Sequence, residues 1–144
     1  MRAYLDANVA SYLLDRASPF HALVRKRWLH SEASTCLSII TLFELELVKR
    51  ILDADGGFDT FVRESEARPL QPAAAPVFAS LKLALRGRTG ASTRALARHN
   101  LDLMLAASAV ADDAALISGD AVFKTLAEID PRLRVEDWTE DTDA

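Results

Sequence analysis

Four acidic side chains are each placed where a folding pattern can deliver them to the same spot, and three of them lie next to or inside apolar segments. Asp6 ends the run Met1-Arg2-Ala3-Tyr4-Leu5 and is followed by Ala7-Asn8. Glu44 sits inside Thr41-Leu42-Phe43-Glu44-Leu45, Asp102 opens the Ala-rich stretch Leu101–Ala107, and Asp120 closes Ala115-Leu116-Ile117-Ser118-Gly119-Asp120. A lone carboxylate is expensive to bury beside such apolar segments. Two of them about 5 Å apart repel by about 3 kcal/mol at an effective dielectric near 20. A bound Mg²⁺ or Mn²⁺ relieves that repulsion, and both ions prefer oxygen ligands. A zinc site is not suggested, because His21, His30 and His99 are scattered and Cys36 is the single cysteine.

Each acid also has a plainer reading. Asn8 before Val9 suits a helix N-cap, which leaves Asp6 ahead of the cap at a strand end. Glu44 has Ile40, Thr41, Leu47 and Val48 as helical neighbours, whereas Glu46 has Lys49 and Arg50, so Glu46 reads as the surface ion pair. Asp102 falls in a first helical turn, where a carboxylate suits the helix dipole. Ser118-Gly119-Asp120 could be a simple turn, with Gly119 permitting an unusual backbone angle. Asp112 and Asp113, near a helix C-terminus, are expected to face solvent.

The elements that must position these groups follow from periodicity and punctuation. Strands are expected at 2–6, 35–39, 115–118 and 134–135, with a brief extended edge piece at 68–70. Helices are expected at 8–15, from Pro19 to about His30, at 41–52 with Gly56-Gly57 as the stop, at 57–65, 73–86, 100–112 and 122–129. Residues 87–93 read as a loop by their glycines and hydroxyls, and the acidic tail from Glu136 as frayed. Short strands alternating with helices predict a three-layer α/β/α sandwich on a short-stranded parallel sheet. Ligands of such sheets bind at the C-terminal strand edges, at a topological switch point. Asp6 and Asp120 both fall at or just past such edges.

A chain of 144 residues that is 50% hydrophobic suits one domain spanning 1–144. No apolar run approaches the roughly 20 residues of a membrane span. The early charge at Asp6 argues against a signal peptide, and the lone cysteine suits a cytoplasmic location. The net charge is −4, yet residues 67–101 hold Arg68, Lys82, Arg86, Arg88, Arg94 and Arg98 and no acid, a local +6. Such a field can steer a polyanion even on an acidic protein, although a solvated helix face and loop would look the same.

With these motifs in order, the chain resembles the PIN domain family, and within it the VapC-like toxins of type II toxin–antitoxin pairs. The resemblance is carried by Tyr4-Leu5-Asp6-Ala7-Asn8, Ile39–Leu45, Asn100–Ala109 and Leu116–Phe123, and it covers essentially the whole chain. It implies an RNA-cleaving hydrolase dependent on Mg²⁺ or Mn²⁺, with Asp6, Glu44, Asp102 and Asp120 at the family's acidic positions. Asp6, Asp102 and Asp120 would be the metal ligands. Asn8 and Ser118 match supporting polar positions, Ser118 standing where threonine is commoner. Arg86, Arg88, Arg94 and Arg98 would hold the RNA backbone. The resemblance also implies a homodimer and a small antitoxin partner. The stretch between Gly87 and His99 departs from the pattern in its length.

Other readings of the same acids are a noncatalytic PIN-like module that binds RNA or protein, a phosphotransfer domain, and a phosphatase with Asp6 as nucleophile. Lys124 is the only lysine near the last strands, which disfavours the phosphotransfer domain. The phosphatase chemistry calls for a second aspartate where Asn8 stands.

Overall fold

The computed structural model describes residues 1–52 and 56–141. Its chain order is β1 (Arg2–Leu5), α1 (Ala7–Leu14), α2 (His21–His30), β2 (Ser34–Ser38), α3 (Ile39–Leu52), α4 (Gly56–Glu64) and β3 (Glu66–Arg68). Then come α5 (Ala74–Thr89), a 3₁₀ segment (Ala95–His99), α6 (Asn100–Ala111), β4 (Ala115–Ile117), α7 (Ala121–Ile129) and β5 (Arg134–Glu136). The strands form one parallel sheet in the order β3-β2-β1-β4-β5. The chain starts at the centre, steps outward to β3, and returns across α5 and α6 to add β4 and β5 on the other side. Right-handed crossovers in opposite directions place their helices on opposite faces, and the core divides accordingly.

The alternation of strand residues shows the division. Ala3, Leu5, Leu37, Ala115 and Ile117 pack with Val9, Leu13, Val24, Leu45, Phe58 and Phe61 of α1–α4. Tyr4, Cys36 and Leu116 point the other way, onto Leu81, Leu85, Leu103, Ala106, Phe123 and Leu126 of α5–α7. Both faces of the central strands β1 and β4 and of the second half of β2 are buried, which explains their apolar runs, whereas the edge strands β3 and β5 are more exposed. The small side chains of α6 (Ala106, Ala107, Ala109) let it lie close to the sheet with no exposure. The three-layer α/β/α expectation holds. Among the described residues, no helix is long and apolar enough to cross a membrane.

Several boundaries move for identifiable reasons. Residue 6 belongs to no strand: it is the N-cap of α1, which starts at Ala7. Helix α2 begins at His21, two residues after Pro19, because residues 16–20 form turns first. Residue 39 belongs to α3 instead of β2, residue 40 joins that helix, and the edge strand ends at Arg68 instead of starting there. Helix α5 runs through Gly87 to Thr89 and stops at Gly90, whose φ of +72° is the left-handed conformation that ends helices. The expected loop at 87–93 therefore shrinks to residues 90–94, and the 3₁₀ segment occupies the rest. The start of the tail is tied down, with Glu136 completing β5 and Trp138 buried in the core, and the fraying expected at its end falls on residues that are not described. Its last three residues, 142–144, and residues 53–55 before the expected Gly56-Gly57 stop lie outside the described part.

Asp112 corrects another expectation. Its side chain is largely buried, accepts a hydrogen bond from Tyr4 Oη, and is paired with Arg68 at 3.2 Å. Partial burial raises the Asp112 carboxyl, but the bonds from Arg68 and Tyr4 outweigh it and hold the group below the ordinary carboxylate range. Asp113 does face solvent, with φ of +51°, a conformation that aspartate tolerates.

Candidate active site

Strands β1 and β4 are neighbours with Leu5 opposite Ile117, and the chain leaves them in different crossover directions. Their C-terminal ends are thus the topological switch point. The Asp6 N–H donates to the Ile117 carbonyl at 3.1 Å, extending the ladder one residue past β1. This fixes Asp6 beside Ser118. The Asp6 side chain is 5% exposed and makes two bonds: Oδ1 accepts from the Val9 N–H at 2.8 Å, and Oδ2 accepts from the Ser118 hydroxyl. The first is an N-cap bond, so Asp6 itself caps α1, a role the sequence assigned to Asn8. Asn8 instead lies exposed in the first turn. The fully buried Ser118 Oγ also accepts from the Asp120 N–H at 3.0 Å, so one hydroxyl ties Asp6 to the turn carrying Asp120.

The other acids come from three helices. Glu44 lies one turn into α3, at the exposed rim of the cleft. Its buried neighbours are Ile40 and Thr41, whereas Leu47 on the same helix is exposed, so its flank is less apolar than the spacing suggested. Glu46 makes the expected surface pair with Arg50, at 3.5 Å. Asp102 is half-buried in the first turn of α6, with His99 Nδ1 at 3.8 Å. Asp120 is the exposed N-cap residue of α7 and its side chain makes no capping bond, so the carboxylate is free of a structural task. Gly119 corrects another reading: Gly90 is the only described glycine with a positive φ. Gly119 is needed for space, because a Cβ there would lie 3.1 Å from Asp137 Oδ1 and 3.1 Å from Thr139 Oγ1.

Asp6, Asn8, Glu44 and Asp102 line one cleft of about 250 Å³ with Ala7, Ile40, Leu101 and Leu105. Asp120 stands outside that lining, but its charge reaches all three other acids. Burial raises the Asp6 carboxyl to about 6, against the bonds from Ser118 and Val9 and with help from the charges of Asp120 and Glu44. Glu44 is raised by partial desolvation and then by Asp102 and Asp120. Asp102 is raised by partial burial and by Asp120, with His99 opposing. Glu44, Asp102 and Asp120 each make ionisation of another of these acids harder, and a cation among them would relieve that.

Whether such an ion fits can be judged from the donors. Among the described residues, no three acidic, histidine or cysteine side chains are gathered tightly enough to form a complete ligand cage. Mg²⁺ does not require one: it keeps several waters and takes one or two carboxylates directly. The all-oxygen donor set suits Mg²⁺ or Mn²⁺ and disfavours softer metals.

The arginines separate. Arg88 at the end of α5 is paired with Glu128 of α7 at 2.6 Å. Arg98 Nε donates to His99 Nε2 at 3.2 Å, which links it to the residue facing Asp102. Arg86 and Arg94 are exposed. The acids are brought together at one sheet edge; the four arginines do not form one cluster with them. The sequence reading overlooked His99 as a neighbour of Asp102, although their i, i+3 spacing signals it.

A family model described as the PIN domain matches residues 3–129. No curated protein sequence matches the chain. Among solved structures, the chain is similar to VapBC2 from Rickettsia felis bound to a DNA fragment from their promoter, at 21% identity, with 96% of this chain and 99% of that chain covered and a TM-score of 0.71. It is similar to VapBC-1 from nontypeable Haemophilus influenzae, at 18% identity, 97% and 100% coverage and a TM-score of 0.69. It is also similar to FitAB bound to an IR36 DNA fragment, at 19% identity, 96% coverage of each chain and a TM-score of 0.73. At these identities the likeness is one of fold.

Proposed function

The chain belongs to the PIN domain family, and from that premise we propose that it is a divalent-metal-dependent endoribonuclease acting as the toxin of a toxin–antitoxin pair. The observation that carries the reading is the convergence of Asp6, Glu44 and Asp102 on one cleft, with the charge of Asp120 bearing on all three. A noncatalytic module has no use for three carboxylates each raised by a neighbouring acid at a switch point.

Asp6, Asp102 and Asp120 would hold Mg²⁺ or Mn²⁺. When bound, the ion would supply Lewis acidity, lowering the pKa of a water and neutralising charge on the phosphoryl and leaving oxygens. The side chains set the geometry. Ser118 and the Val9 N–H hold both oxygens of Asp6, so the carboxylate cannot swing away. Glu44, at the rim, would orient the attacking water. Ile40, Leu101 and Leu105 form apolar walls that limit bulk water. Arg98, next to the cleft through His99, is the best placed of the four arginines to hold a backbone phosphate, with Arg86 and Arg94 extending the path and Arg88 held by Glu128.

The partner is inferred from the company the fold keeps and from a surface. The similar solved structures are VapBC and FitAB assemblies. Phe43, Leu47 and Ile51 form a ridge along α3, each more than 60% exposed. Contiguous apolar surface of this kind marks protein contact, in keeping with an antitoxin and a homodimer. On this reading the chain acts as one PIN-like domain in the cytoplasm.

Induced production of the protein in a bacterial host tests the proposal. Growth should stop, new RNA 5′ ends should appear at defined sites, and both effects should vanish with Asp102→Asn. Normal growth with abundant folded protein and an unchanged RNA pool would overturn the toxin reading.

A further inference from the structure

The segment that follows β5 bears directly on the turn carrying Asp120. One bond joins that turn to the segment, and two further features bring the segment close to it. The Ser118 N–H donates to the Glu136 carbonyl at 3.0 Å, which continues the β4–β5 ladder into the turn. Gly119 lies under Asp137 and Thr139 so closely that a methyl group would press on both side chains. Lys124, one helical turn after Asp120 on α7, reaches Asp137 Oδ2 at 3.0 Å and Glu140 Oε1 at 3.2 Å.

Asp137 is itself immobilised. Its Oδ1 accepts from the Thr139 N–H at 2.9 Å and from the Thr139 hydroxyl, and its Oδ2 faces Lys124, leaving the side chain 9% exposed. The segment cannot lift away cheaply, because Trp138 between these two residues is 2% exposed and packed in the core with Val24, Ala115 and Ile117. Below the turn, Ser118 Oγ receives the Asp120 N–H. Asp120 therefore enters α7 from a turn held by the Ser118 hydroxyl and with Asp137 lying next to Gly119, although its own carboxylate makes no capping bond.

We propose that Asp137, locked by Thr139 and Lys124, is the positioning residue for Asp120: it fills the space beside Gly119, ties the segment to α7 through Lys124, and so limits where the fourth carboxylate meets the cleft. As to metal, the inference rests on the reading of Asp120 as a ligand given above. Outer groups that orient ligands typically change metal affinity by about 10–100-fold when removed, and Asp137 belongs in that range through Asp120 alone.

Two measurements on the full chain test this. Amide hydrogen exchange without metal compares wild type, Asp137→Ala and Asp137→Asn. The Asp120 amide should exchange roughly tenfold faster in Asp137→Ala while the Leu116 and Ile117 amides of β4 keep their protection. Asparagine retains an acceptor for Thr139 and should stay near wild type. An unchanged Asp120 amide in Asp137→Ala overturns the proposal. Should that variant lose global stability, the double variant Lys124→Met, Thr139→Val, which strips Asp137 of the ammonium and the hydroxyl without touching Trp138, should show the same local loosening, and its absence there would overturn the proposal equally.

Calorimetric Mn²⁺ binding supplies the second measurement. Asp137→Ala should weaken binding about tenfold in the wild-type background and not at all in Asp120→Asn. Equal weakening in both backgrounds would show that Asp137 acts on the fold instead of through Asp120, and would overturn it. A wild-type protein that binds no Mn²⁺ would instead remove the metal reading of the cleft, and hydrogen exchange would still decide whether Asp137 braces the turn.

Discussion

Replacing Asp6 with asparagine should make the metal-free protein more stable while removing its activity. The Asp6 carboxyl is 5% exposed and its pKa is about 6 in the fold, raised mainly by burial. An ordinary aspartate titrates near 3.9, so the shift is about two units, or about 3 kcal/mol. The sign follows from proton occupancy. Below about pH 4 the group is protonated in both states and costs nothing. As the pH rises from there to about 6, the unfolded chain releases the proton first, so stability attributable to this group is lost across that window and stays lost above it. Asparagine carries no charge and avoids the loss. Its carbonyl can still accept from Val9, preserving the cap. The Ser118 hydroxyl loses its charged acceptor, a cost of about 1 kcal/mol. The net gain should be about 2 kcal/mol near neutral pH and close to zero near pH 4. Urea unfolding in EDTA across about pH 4 to 8 measures it. Mn²⁺ should stabilise the wild type, by about 2.7 kcal/mol at a hundred times its Kd, and leave the variant almost unmoved. An Asp6→Asn protein that is less stable at neutral pH, or whose advantage does not change with pH, would refute the account of Asp6 as a carboxylate held against its own preference.

Three other outcomes are expected. Arg68→Ala leaves Asp112 partly buried with only Tyr4 as partner, and should lower the urea midpoint of unfolding at neutral pH. Because the Asp112 pKa is depressed in the fold, the pair's contribution is present above about pH 4 and is lost as the pH falls through the folded-state value, so the variant's deficit should shrink in acid. Ser118→Ala removes both the donor to Asp6 and the acceptor for Asp120, and should lower cleavage about tenfold or more, while Ser118→Thr retains most of it; equal rates for the two would deny the hydroxyl its role. Arg98→Gln should lower the logarithmic salt slope of single-stranded RNA binding by about 0.7. Arg88→Gln should change it less, since Glu128 already neutralises that side chain, and reversed magnitudes would relocate the RNA path.

How much the sequence reveals depends on the range of the interaction involved. The sheet and both layers were legible because buried parallel strands leave short apolar runs between helical periods. Asp6 and Asp120 could be placed because chain order alone brings the ends of β1 and β4 to the switch point. Local competition was harder to read. Nothing in Leu5-Asp6-Ala7-Asn8 decides whether residue 6 or 8 caps the helix; the Asp6 N–H bond to Ile117, 111 residues away, decides it. Gly87 looked like the start of a loop, but α5, anchored in the core by its own Leu81 and Leu85, runs past it and ends at Gly90, whose left-handed backbone closes it. Asp112 looked solvated because Tyr4 and Arg68 are remote in sequence. The brace over Gly119 was invisible for the same reason: a glycine needed for space and one needed for its backbone angle look alike until the neighbour that fills the space is known.

The most direct test of the central claim is cleavage of total cellular RNA by the purified protein. It should be run with Mg²⁺, with Mn²⁺ and with EDTA, beside Asp6→Asn at equal concentration. The account predicts discrete fragments that require the ion, disappear in EDTA, and are absent with the better-folded Asp6→Asn protein. Fragments that persist in EDTA, or an Asp6→Asn protein as active as the wild type, would contradict it.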